Sequence, residues 1–135
     1  MAIEYVKVRR MIHTGENPGE KFIARLWRNN DIDLKTIAEE ISNASTMSSA
    51  DVIGCLVALE ESIAKYVLNG NAVKLGTLGS FVPAISCKAC DSVDDVSSDA
   101  IRRAKCLFKP SVKFKNLLEK ANFHEKNLSV KGLIE

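Results

Sequence analysis

Apolar and polar positions partly alternate through Ile-Glu-Tyr-Val-Lys-Val-Arg-Arg-Met-Ile, residues 3–12, and alternate again over residues 21–27. With the turn-forming Gly15-Glu-Asn-Pro-Gly19 between them, the two runs predict a β-hairpin. The period then lengthens. Leu34, Ile37, Ala38 and Ile41 fall on one face of a helix over residues 34–43, with Asp33 as its N-cap. Val52, Cys55, Leu56, Leu59, Ile63, Tyr66 and Val67 continue the helical period in a second, longer helix. Ser48 or Ser49 caps it, Asp51 suits its first turn, and Asn69-Gly70 stops it. Ile53, Val57, Ala58 and Ala64 widen its apolar face, which predicts burial on more than one side. A dimer interface would supply the second side.

Beyond Gly70 the pattern returns to strands, at residues 72–75 and 80–86, joined by a turn that carries Gly76 and Gly79. The stretch Asp91-Ser-Val-Asp-Asp-Val-Ser-Ser-Asp99 is an acidic excursion, after which Ser97 or Ser98 caps a short helical turn through Arg103. Residues 104–109 predict a further strand, and Pro110 marks the start of a last helix running to Lys120. The expected organisation is a hairpin extension over 1–31, a core over 32–121 and a polar tail over 122–135 without a regular element.

The order of these elements, with three short motifs, resembles the HU and integration host factor family of bacterial nucleoid proteins. The motifs are the paired helices ending in Leu68-Asn-Gly70, the segment Val73-Lys-Leu-Gly-Thr-Leu-Gly-Ser-Phe81, and Phe108-Lys-Pro-Ser-Val-Lys113. The added N-terminal hairpin is similar to that of the HU-HIG variant group. The resemblance implies an α+β, HU-like fold with two N-terminal core helices, a β-sheet and a C-terminal helix, preceded here by the extra hairpin. It also implies a homodimer that binds DNA with little sequence preference, in the bacterial nucleoid.

Composition agrees with an ordinary globular chain: 135 residues with 46% hydrophobic and 27% charged positions fit one domain. No apolar run is long enough to span a bilayer, and the first ten residues lack the marks of a signal peptide, so a cytoplasmic setting with no membrane partner is expected. Net charge is only +2, but it is unevenly placed. Residues 1–30 are basic, 31–70 acidic, and the chain from Ile101 onward basic again. If the fold joins the basic ends, they form one positive surface; otherwise they are solvated faces.

The glycine turn suits a nucleic-acid partner because backbone amides there can approach phosphate oxygens unobstructed by side chains. By the resemblance, Gly76, Thr77, Gly79 and Ser80 would be phosphate-contacting positions, with Lys74 beside them. Lys109, Ser111, Lys113 and Lys115, around the start of the last helix, would add charge and a hydroxyl, and Arg102, Arg103 and Lys105 would extend the surface. Equally, the glycines can serve only a tight hairpin packed on helices. In HU itself a basic arm carries a proline that wedges between base pairs. Here the corresponding residues 84–99 hold Asp91, Asp94, Asp95, Asp99 and a single lysine, with no proline at the tip, which predicts body contacts with weaker affinity and a smaller kink.

Other chemistries have less support. Cys87-Lys-Ala-Cys90 has the spacing of half a zinc site, with Cys55, Cys106, His13 and His124 as available completing ligands, but no second close pair exists. The expectation is no metal and no cofactor, with Cys55 and Cys106 as small buried apolar residues. Neither histidine has an adjacent nucleophile or carboxylate pair, and Ser80 lacks the Gly-x-Ser-x-Gly pattern, so no enzyme and no small-molecule substrate are expected. Tyr5, Phe22 and Trp27 lie among Arg9, Arg10, Arg25 and Arg28, and the expectation is rings packed inward with arginines outward.

Two function classes remain: a DNA-binding nucleoid protein, and a dimeric interaction or scaffold module that keeps the fold without the nucleic-acid surface. What separates them is whether Lys74, Arg102, Arg103, Lys105, Lys109, Lys113 and Lys115 gather on one face around the glycine turn.

Overall fold

A computed structural model of the chain describes residues 1–127. It is α+β and divides into two compact units: one joins Met1–Asp31 to the chain from Leu118 onward, and the other is Ile32–Leu117.

In the first unit β1 (Ile3–Ile12) pairs antiparallel with β2 (Gly19–Leu26), from Tyr5 opposite Leu26 to Ile12 opposite Gly19. The residues expected to be a tail supply a third strand. Phe123–Glu125, which is β6 in chain order, runs parallel to β1 on its other edge, with Ile3 opposite Phe123 and Tyr5 opposite Glu125. Backbone bonds from Ile3 N to Asn122 O and from Lys126 N to Tyr5 O, both 2.8 Å, close this edge. Three residues are too few to announce a strand by periodicity, which is why the pattern misses it.

The register also corrects the expected sorting of rings and arginines. Tyr5, Lys7 and Arg9 share a face with Leu26, Ala24 and Phe22, while Arg25 lies opposite Val6 on the other side. Phe22 and Leu26 are well exposed, so the rings of this sheet do not close a core around themselves.

In the second unit α1 (Leu34–Asn43) starts at Asp33, whose Oδ1 accepts from Thr36 N at 2.9 Å and Thr36 Oγ1 at 2.8 Å. Those bonds to the charged form, the backbone one foremost, hold the Asp33 carboxyl below its ordinary pKa. α2 (Ser49–Leu68) starts at Ser48, whose Oγ accepts from Asp51 N at 3.2 Å and donates to Asp51 Oδ2 at 2.7 Å. It ends at Asn69, and Gly70 follows with φ 85°. Ala38 and Val52 are the buried points of α1 and α2.

β3 (Val73–Leu75), β4 (Gly79–Cys87) and β5 (Ile101–Pro110) form an antiparallel sheet in that order, and α3 (Val112–Glu119) follows. The strand after the excursion is longer than its apolar pattern predicts because it continues to pair with β4 through its charged residues. Phe81 and Phe108 stand opposite each other with ring centroids 5.3 Å apart.

Among the described residues only Val6, Ala38 and Val52 are buried apolar side chains. Val57, Leu59, Tyr66 and Leu68 of α2 are exposed, as are Cys55 and Cys106, which were expected inside. A 20-residue helix with one buried side chain has an apolar face that this single chain leaves open.

Candidate nucleic-acid interface

Strand pairing decides which cations meet. Lys74 lies opposite Ser80, which lies opposite Lys109; Ala84 faces Lys105 and Ser86 faces Arg103. Since alternate residues of a strand share a face, Lys74, Lys109, Lys105 and Arg103 stand on one side of the sheet, with Ser80, Ala84 and Ser86 across from them and the pair Val82 and Leu107 between Lys105 and Lys109. The small neighbours leave the long cationic side chains room to reach outward. From Arg103 to Lys109 the row extends about 20 Å at the usual rise of an antiparallel strand. The other side carries Val73, Phe81, Phe108, Pro83, Cys106, Ile85 and Ala104, so one face holds the four cations around Val82 and Leu107 and the other is apolar.

All four cations are exposed, and none takes part in an ion pair among the described residues. Arg102 does not join them. Ser86 faces Arg103 while Cys87 faces Ile101, so Arg102 is the extra residue of a bulge and has no partner in the paired row. Lys113 and Lys115 are exposed on the first turn of α3.

The two turn glycines have different reasons to be glycine. Gly76 has φ 54°, a left-handed conformation, and open space where a side chain would be. Its amide and that of Thr77 have no acceptor among the described residues, while Leu78 N closes the turn on Leu75 O at 3.1 Å. Gly79 is buried, and a Cβ there would run into Lys109 O and come within 2.9 Å of Phe108 Cζ and Pro110 Cα. Gly79 therefore permits close approach of β5, and Gly76 leaves the backbone open to an outside group.

Ser111 has a structural occupation. Its Oγ donates to Thr77 O and accepts from Phe114 N at 3.1 Å, its N–H donates to Leu78 O at 3.0 Å, and its carbonyl accepts from Lys115 N at 2.9 Å. One residue thus caps α3 and ties it to the glycine turn, which sets Lys113 and Lys115 at a fixed remove from Gly76. The sequence motif Phe-Lys-Pro-Ser points to the position but not to this latch, because the partner carbonyls are more than thirty residues away.

The excursion 88–100 folds as two short 3-10 turns, Val93–Asp95 and Ser98–Ala100, and Asp91, Asp94, Asp95 and Asp99 are exposed. Cys87 precedes it and Cys90 lies within it, and the described residues hold no group of three or more metal-ligating side chains. No helix of the described residues is long and apolar enough to cross a membrane.

The sequence model of HU-HIG, described as an HU domain fused to a wHTH, Ig or glycine-rich motif, matches residues 1–125. No curated protein matches the sequence. Among solved structures, a bacterial protein from Bacteroides vulgatus ATCC 8482, provisionally described as DNA-binding, is similar with TM-score 0.65 at 11% identity. The likeness covers 95% of this chain and 50% of that one, so the chain spans half the length of that structure, and at such low identity what is shared is the fold.

Proposed function

The chain belongs to the HU-HIG family, and from that premise we propose that it is a non-catalytic protein binding duplex DNA chiefly through phosphates, with little regard to sequence. The observation that carries the reading is the strand register that gathers Lys74, Arg103, Lys105 and Lys109 on one face with no ion pair among the described residues to satisfy them. Cations aligned along a strand neutralise successive phosphates and release their counterions, a gain that does not depend on base identity. The open amides of Gly76 and Thr77 add donors at one end of the row, and Lys113 and Lys115 add charge beside the cap of α3.

The working unit is a homodimer. One chain leaves the apolar side of α2 and of the β4–β5 sheet uncovered, and a second copy buries them without touching the basic face. The acidic excursion keeps this chain from gripping DNA as a basic arm does, so affinity is modest and bending slight.

A second reading rests on the same excursion: four exposed aspartates repel phosphates, and in a scaffold module they would be free to meet a basic protein. Fluorescence anisotropy of a labelled mixed-sequence duplex, titrated at several salt concentrations, separates the two. Saturable binding whose logarithm falls linearly with log salt is expected; no binding at low salt would leave the scaffold reading.

A further inference from the structure

All four cysteines are free, yet only two are brought together. Cys87 Sγ donates to Lys88 O at 3.2 Å, and Cys90 Sγ donates to the same oxygen at 3.5 Å. Two sulfurs on one acceptor lie within two hydrogen-bond lengths of each other. Cys90 also reaches across the excursion to Asp95 O, at 3.6 Å. The backbone at this point has slack, because Cys87 ends β4 at the bulge, where pairing with β5 slips by one residue. Below it, Lys88 N bonds Ala100 O at 2.8 Å and closes the base of the excursion. Cys87 is exposed and so is open to a dissolved reactant.

We propose that Cys87 and Cys90 are a reversible thiol–disulfide pair, a redox modification site at the base of the excursion. Two thiols without further ligands do not complete a tetrahedral metal site, and none of the described residues completes one. The oxidant is a low-molecular-weight disulfide such as glutathione disulfide. The Cys87 thiolate attacks one of its sulfurs and expels one glutathione thiolate, which leaves a mixed disulfide on Cys87. The Cys90 thiolate then attacks the Cys87 sulfur and expels the second glutathione. In balance, two protein thiols lose two electrons and two protons to become one disulfide, and glutathione disulfide gains them to become two thiols. Closure removes the S–H donors to the Lys88 and Asp95 carbonyls, so the 87–90 end of the excursion is fixed covalently while the Asp95 side is released.

The sequence makes the test direct, since Lys88 lies between the two cysteines. The full chain is incubated with excess glutathione disulfide, digested with trypsin without reduction and studied by mass spectrometry. Peptides 75–88 and 89–102 are expected as one linked species that reduction separates, with loss of two free thiols and no covalent dimer. In Cys90→Ser the glutathione adduct on Cys87 is expected to accumulate where the parent chain shows little. The Cys55→Ser, Cys106→Ser double variant should still form the link. Thiols that stay free, stable glutathione adducts on both Cys87 and Cys90, or links to Cys55, Cys106 or another chain would each overturn the proposal.

Discussion

The two compact units handle their cations in opposite ways. In the first, Lys7 pairs with Glu125 at 3.3 Å, Arg9 with Glu20 at 2.6 Å, and Lys126 with Glu4 at 3.2 Å, so charge is used to hold three strands together. In the second, Lys74, Arg103, Lys105 and Lys109 line a sheet face and have no acidic partner among the described residues. In sequence the first unit is slightly basic, with nine lysines and arginines against seven acidic residues, and the second is balanced, with ten against ten. A tally of lysines and arginines therefore says little about a ligand until strand register shows which of them are already neutralised.

Removing cations from each unit in turn gives the most severe test of this contrast. Arg103, Lys105 and Lys109 replaced together by Ala should weaken duplex binding by roughly tenfold or more. The log–log salt slope should flatten by about 0.9 for each phosphate that is no longer neutralised, alike for all sequences. Lys7 and Arg9 replaced by Ala should leave affinity and slope within error. Equal weakening in the two variants, read by anisotropy, would erase the distinction.

The glycines draw a finer line within the second unit. Gly79→Ala should destabilise by more than about 1 kcal/mol in urea unfolding, because its Cβ meets β5 backbone. Gly76→Ala should cost about 1 kcal/mol from its left-handed φ alone, and Gly76→Asn less, since the space around it is open. If Gly79→Ala were the milder change, the packing account of that residue would fail.

Smaller effects come from the helix caps and from the ion pairs of the first unit. Ser48→Ala should cost about 1 kcal/mol by removing the cap of α2, against roughly 0–1 kcal/mol for Glu4→Gln at the Lys126 pair. Asp33 has its pKa lowered on folding, so its contribution is present above the ordinary carboxylate range and is lost as pH falls through the folded value. Asp33→Asn should therefore lessen the loss of stability in that acid window. An unchanged acid transition would count against the cap as its source.

The sequence was most informative where a period runs long enough to be read. Asp33, Ser48 and Gly70 mark helix boundaries by chemistry local to themselves, and both helices begin, and α2 ends, where that chemistry places them. What escaped depends on partners distant in the chain. β6 is three residues long and owes its existence to β1, more than a hundred positions away. Arg102 differs from Arg103 only through a bulge in a strand pairing, and composition is blind to that. The role of Ser111 rests on the Thr77 and Leu78 carbonyls, so its hydroxyl, expected to face phosphate, is already occupied. The apolar width of α2 was legible, but it does not build a core within one chain.

The parallel pairing of β6 with β1 bears on the order of folding. Residues 32–117 contain all the pairings of their own sheet, so during synthesis they can form structure while β1 and β2 have only each other. The first sheet gains its third strand only after the intervening unit has been made, by closing one very long loop. Pulse-labelled hydrogen exchange during refolding should accordingly protect β4 and β5 amides before those bridging β1 and β6; simultaneous protection would mean that both units fold as one.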